Sequence, residues 1–243
     1  MWEFGIGKKL SKGFLDYHFS SLNEPEFTGT QIYKHIDREK QKSGDYPLID
    51  LKYNIDYNSS LEKTLIERKT AIDKFKNNQI INKDLISKFT QLAFIGGAKD
   101  SRNYPSGGGQ YYVDINILFN ESNVDKELVD VGNVMNLNCD THKLIVKNKL
   151  SWEIMSKAFI QDYMADTAQF AIVLSCDIEN ISKKYMDISY KLVQQETGHI
   201  GQNIQLVANY LNIESVPLGG FYDIELSNTI GDNQTVLYAF LLG

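Results

Sequence analysis

Apolar and polar residues alternate over residues 111–119, where Val113, Ile115 and Ile117 interleave with Asp114 and Asn116. That period of two predicts a strand with one covered face. Leu144-Ile145-Val146 forms a shorter strand candidate, and residues 169–176 run almost without a polar break, as a strand buried on both faces does. The last strand is expected at 235–242. Helical spacing appears in other stretches. Leu61, Leu65 and Ile72 predict a helix over about 60–70, capped by Ser59 or Ser60. Leu85, Phe89, Leu92 and Ala93 predict one over about 83–95, capped by Asn82 and stopped by Gly96-Gly97. Ser151 is placed to cap a helix running to about 165. The longest helix is expected over about 187–211, with Ile200, Ile204, Val207, Ala208 and Leu211 as its apolar stripe. It carries two glycines, Gly198 and Gly201, each costing ~1 kcal/mol against alanine in a helix. Such a pair points to close approach by another helix or by a ligand.

Strands and helices mix without a βαβ rhythm, which predicts an α+β layered fold. Residues 1–58 lack this periodicity. They read as an arm or extension, and their aromatic residues Trp2, Phe4, Phe14, Tyr17, Phe19 and Tyr33 argue against a free tail. Residues 59–243 are expected to form the folded domain.

Composition narrows the function classes. The net charge of −6 over 243 residues disfavours a general nucleic-acid binder. Cys139 and Cys176 match no zinc spacing, and the four histidines show no ligand pattern, so no metal is expected. The N-terminus lacks the apolar core of a secretion signal, and no apolar run approaches the ~20 residues of a membrane span. The expectation is a cytoplasmic protein that binds neither membrane nor nucleic acid.

Four segments could carry chemistry. In Arg102-Asn103-Tyr104-Pro105-Ser106-Gly107-Gly108-Gly109, three glycines can turn backbone N–H groups toward a ligand, with Arg102 and Ser106 beside them. A flexible turn fits equally well. Arg68-Lys69-Thr70 suits a phosphate, although a solvated charged turn is the commoner meaning of such a triplet. Lys184-Tyr185 could hold or move a proton, since an ammonium favours the phenolate, but alone it is an ordinary dipeptide. Pro217-Leu218-Gly219-Gly220-Phe221 can present two adjacent N–H donors to one planar acceptor, or simply turn the chain.

The order of these segments resembles the nitroreductase superfamily, and within it the SagB-type dehydrogenases. Arg68-Lys69-Thr70 stands where that family has an Arg-Arg-Ser element. Pro105-Ser106-Gly107-Gly108-Gly109 resembles its Pro-Ser-Ala-Gly-Gly loop, and Lys184-Tyr185 its Lys-Tyr pair. Glu196-Thr197-Gly198-His199-Ile200-Gly201-Gln202-Asn203 is similar to its Glu-x-Gly-His-x-x-Gln-Asn helix. The similarity spans about 60–243, with a trace in Asp16-Tyr17-His18-Phe19-Ser20-Ser21. The resemblance implies a nitroreductase-like fold with an antiparallel-containing sheet flanked by helices. It also implies an entwined homodimer with FMN at the subunit interface. It assigns cofactor contacts to Arg68, Lys69, Thr70, Arg102, Pro105, Ser106, Gly107, Gly108, Gln202, Asn203, Leu218, Gly219 and Gly220, and proton handling to Lys184 and Tyr185. The implied substrate is a ribosomally made precursor peptide whose azolines become thiazoles or oxazoles, with other peptide-modifying enzymes as further partners. Reduction of dehydroamino acids, reduction of a small nitro compound or quinone, and a flavin-free scaffold role are the alternatives.

Overall fold

The computed structural model describes residues 13–22, 49, 51, 53–76, 79–97, 101–231 and 234–243. Most of the arm expected at 1–58, including Trp2, Phe4 and Tyr33, lies outside these. Six strands form one sheet: β1 (Asp114–Phe119), β2 (Val134–Asn138), β3 (Lys143–Asn148), β4 (Phe170–Cys176), β5 (Ser215–Leu218) and β6 (Thr235–Leu242). Their order is β3-β2-β1-β4-β6-β5, and every pairing is antiparallel. Ile117 of β1 sits opposite Met135 on one side and Ile172 on the other.

Around the sheet lie α1 (Gly13–Ser21), α2 (Ser60–Glu67), α3 (Lys83–Thr90), α4 (Lys126–Val129), α5 (Trp152–Ser156), α6 (Asp162–Ala165), α7 (Ile178–Tyr185), α8 (Ile188–Tyr210) and α9 (Asp223–Ile230). One core holds Phe89 and Phe94 with Ile200 and Ile204 of α8, against Ile117, Ile172 and Phe240. The other holds Trp152, Phe159 and Leu226 against Leu118, Val173 and Ala239. Core burial on both faces explains why β4 is apolar but for Ser175, since all seven of its residues are buried. Each large side chain so buried stabilises the fold by about 1.5–3 kcal/mol.

Several expected boundaries move, each for a local reason. Strand β1 begins at Asp114 and not at 111, because Tyr111 adopts φ +52° where its N–H donates to the Ser106 hydroxyl. The second helix holds its cap, Asn82 Oδ1 accepting from the Leu85 N–H at 2.9 Å. It then widens into a π-turn over Gln91–Ile95 before Gly96 ends it at φ +75°. The helix expected from Ser151 to 165 is a correction: it is two short helices, α5 and α6. Between them Phe159 forms a β-bridge with Phe221, and the Ala158 carbonyl accepts from the Tyr222 N–H. Tertiary pairing therefore overrides the helical pattern there. The long helix differs from expectation by one residue at each end. A left-handed Met186 at φ +51° separates it from α7. Pro217 lies within β5, an edge strand, where its missing N–H costs no ladder bond.

Candidate functional site

Helix α8 organises the site. Tyr190, Gln194, Thr197, Gly198, Gly201 and Gln205 fall at i, i+4, i+7, i+8, i+11 and i+15, so they share one face. At its N-terminal end this face opens into a cleft of about 520 Å³, lined by Tyr190, Gln194, Gly198, Leu218, Gly219, Asp223 and Tyr238, with Tyr17 and His18 of α1 as the outer wall. That volume lies in the ~300–1,000 Å³ range of small-molecule and cofactor sites. The two α8 glycines serve different ends. A methyl group on Gly201 would lie 2.8 Å from the Phe240 ring, so Gly201 lets the helix sit down on β6. One on Gly198 would meet nothing within 4 Å, so Gly198 leaves the cleft open. Gly219 likewise faces open space, whereas Gly220 packs against Ile160, 3.0 Å from where its Cβ would be.

At the far end of the stripe Arg68, the residue that terminates α2, donates to Gln205 Oε1 at 3.0 Å and to Thr70 Oγ1 at 3.3 Å. Gln205 Nε2 donates to the same Thr70 oxygen at 3.4 Å. The Ala71 N–H donates to the Ser215 carbonyl, fixing this segment beside β5. Seven residues separate Gly198 from Gln205, about 10 Å along the helix axis. The stripe thus joins an open cleft to a guanidinium held by neutral oxygens.

The glycine loop is held by Glu196. This carboxylate is 3% exposed; it accepts from the Ser106 hydroxyl at 2.6 Å and from the Val113 N–H at 3.4 Å. Burial pushes its carboxyl above the ordinary range, and those hydrogen bonds with the nearby Arg102 and His199 oppose the shift. Gly108 and Gly109 both have φ +64°, a conformation that glycine adopts without strain. The Tyr185 hydroxyl donates to the Gly107 carbonyl at 3.4 Å, and Lys184 Nζ lies 5.1 Å from the Tyr185 ring centre.

Sequence comparison matches the chain to the nitroreductase family over residues 66–243. The chain belongs to the nitroreductase family. A protein of Methanocaldococcus jannaschii named as a nitroreductase is 25% identical to it over 174 residues, which cover 68% of this chain and 81% of that protein. A chain of the E. coli microcin synthetase McbBCD complex, solved with truncated pro-MccB17 bound, superposes with a TM-score of 0.79 at 19% identity, covering 98% of this chain and 93% of that one. A nitroreductase structure from Desulfovibrio desulfuricans in complex with FMN gives 0.51 at 14% identity, covering 77% and 87%. At these identities the structural likeness speaks for the fold.

Within this nitroreductase chain the expected site residues fall into separate groups. Leu218, Gly219 and the stripe glycine Gly198 share the cleft. Arg68 and Thr70 meet at Gln205, while Lys69 is exposed. Ser106, Gly107 and Gly108 gather near Glu196 and Tyr185, with Pro105 exposed beside them. Arg102 turns elsewhere: it donates to the Tyr104 hydroxyl at 2.9 Å, lies 4.6 Å from the Tyr111 ring centre and pairs with Asp140 at 3.6 Å. Asn203 binds the Ala93 and Asn103 carbonyls, pinning the base of the loop, and Gln202 points to solvent. Sequence reasoning singled out neither Glu196 nor Gln205 as site residues. Glu196 opens the quoted helix motif, and its position one face away from Gly198 was the available signal. Among the described residues no group of three or more His, Cys, Asp or Glu could hold a metal ion, and no helix is long and apolar enough to cross a membrane.

Proposed function

We propose that this nitroreductase-family chain is an FMN-dependent oxidoreductase of the SagB type that oxidises azolines in a ribosomally synthesised peptide. The observation that carries the reading is the α8 stripe, which runs from an open cleft at Gly198 and Gly219 to the Arg68 guanidinium. The donor set fits FMN in three respects: a cation at one end for a phosphate, backbone at Leu218-Gly219 for a planar polar edge, and unfilled space where side chains would otherwise stand. Arg68, with Lys69 and Thr70, would hold the phosphate, and Leu218 and Gly219 would border the ring. FMN, when bound, supplies the hydride acceptor.

Residues 105–108 are not among those lining the Gly219 cleft of their own chain; they contact Glu196 and Tyr185 instead. We place the site between two copies, with this loop of one facing the cleft of the other. Lys184 and Tyr185 move with that loop and are the proton-handling pair that the family resemblance assigns. The microcin synthetase complex that shares the fold is one solved with a pro-peptide bound, which supports a peptide substrate and partner enzymes in an assembly.

The test is direct. Purified protein should be yellow, release FMN on denaturation, and convert an azoline-containing peptide with loss of one H2 equivalent by mass. Gain of one H2 equivalent on a dehydroalanine-containing peptide would reverse the assigned direction. A colourless protein that takes up no added FMN would overturn the reading.

A further inference from the structure

We infer that Gln205 is the positioning residue at the phosphate end of the site. Its neutral carboxamide aims Arg68 and Thr70 outward and so sets a preference for FMN over riboflavin. The inference deepens the proposed function and rests on it. Gln205 lies near the C-terminal end of α8 and is 7% exposed. A buried amide is costly unless both of its ends are paired. Here both ends reach the segment that follows α2: Oε1 accepts from Arg68 Nη1 at 3.0 Å, and Nε2 donates to Thr70 Oγ1 at 3.4 Å.

Counting donors shows what this leaves for a ligand. Arg68 Nη1 also donates to Thr70 Oγ1, at 3.3 Å. The two N–H groups of Nη1 are thus taken by Gln205 and Thr70. Those on Nη2 and Nε remain. Thr70 Oγ1 accepts from both Arg68 and Gln205, which uses both of its lone pairs. The Thr70 hydroxyl proton can then only point away from these two donors. Arg68 and Thr70 therefore offer donors to a group that only accepts, as the oxygens of a phosphate monoester dianion do.

The amide matters because it is uncharged. A carboxylate on the same stem would grip the guanidinium in a bidentate fork and cancel the charge that attracts a phosphate. Gln205 has the same length and an acceptor oxygen in the same place. Among the described residues Arg68 forms no ion pair, so the cation is oriented without being neutralised. All three residues belong to one chain, so this end of the site is built without a second copy.

The experiment measures Kd for FMN and for riboflavin, by quenching of flavin fluorescence in flavin-stripped protein, beside a thermal melt of each variant. Gln205→Glu should weaken FMN by about 10–100-fold, the range of a hydrogen bond to a charged group, and leave riboflavin unchanged. Gln205→Met removes both hydrogen bonds at similar volume. It should weaken FMN by about 2–10-fold, again sparing riboflavin. In an Arg68→Ala background the same substitution should weaken FMN by less than it does alone, because Gln205 acts through Arg68. A glutamine with a structural role only would lower the melting temperature and weaken both flavins together. A wild-type protein that binds the two flavins equally would refute the role while leaving the flavoenzyme reading intact. So would Gln205→Glu protein with the wild-type ratio of FMN to riboflavin affinity, or a Gln205→Met effect that is the same with and without Arg68. If Gln205→Glu does not fold, the Gln205→Met cycle decides. Wild-type protein that binds neither flavin would refute the flavoenzyme reading itself and the role with it.

Discussion

The Ser106 hydroxyl donates to the buried Glu196 carboxylate at 2.6 Å, across 90 residues of sequence, and so fastens the glycine loop to the long helix. Truncating Glu196 to alanine leaves the Ser106 hydroxyl and the Val113 N–H without this acceptor. An expected loss of about 1–3 kcal/mol follows, measurable by denaturant unfolding. A loss near zero would mean that the loop does not depend on this anchor.

Glu196 also sets a pH dependence. Burial raises its value in the folded chain above the unfolded 4.5, so the folded state binds the proton more tightly. This stabilising contribution is full below the unfolded value and fades as pH rises through the folded one. Glu196→Gln has no proton to lose there. From acid toward neutral pH, unfolding free energies should move in favour of Glu196→Gln relative to wild type; parallel curves would contradict the burial argument.

Gly108 and Tyr185 should prove coupled. A methyl group on Gly108 would sit 2.5 Å from the Tyr185 hydroxyl oxygen, on a residue whose φ is +64°. Gly108→Ala should therefore cost about 1–2 kcal/mol from backbone strain alone, with the clash in addition. In a Tyr185→Phe background the clash is relieved and only the strain remains. A double-mutant cycle by thermal melting reads the difference, and zero coupling would deny the contact.

The two glycines of α8 make opposite predictions. Gly201→Ala drives a methyl group into Phe240 and Tyr238 and should lower the melting temperature. Gly198→Ala meets nothing in the free chain, so helix propensity should raise stability by up to about 1 kcal/mol. Under the proposed function, Gly198→Ala should at the same time weaken FMN binding in a fluorescence titration.

Arg68→Ala should weaken FMN by about 10–100-fold, the worth of a hydrogen bond to a charged group. Riboflavin, which lacks the phosphate, should bind both forms alike. Equal weakening of the two ligands would remove the phosphate from this end of the stripe.

Much of this architecture is written locally in the chain. Strand β6 runs over the expected 235–242 because it is buried along most of its length, and α8 is within a residue at each end because its apolar stripe recurs at helical spacing. The break between α5 and α6 is not local. It depends on Phe159 meeting Phe221, a residue far along the chain, and no periodicity carries that information. Strand β5 hides for a related reason: Pro217 beside two glycines looks like a turn until an edge position makes it acceptable. The site divides in the same way. The glycines of the loop are legible because positive φ demands them. Their anchor, Glu196, and the meeting of His18 with Tyr190 come only from the folded juxtaposition of distant segments.

Helix α2 has eight residues, and none of them is buried. Leu61, Leu65 and Ile66 are 65%, 48% and 54% exposed, so the core does little to hold it. Helices shorter than about 12–15 residues are marginal on their own. This one ends at Arg68, the cation to which the proposed function assigns the phosphate. Whatever neutralises Arg68 also clamps the last turn of a helix that would otherwise fray. Amide exchange in α2 would then slow on ligand loading, and cofactor capture and local folding would share one free energy.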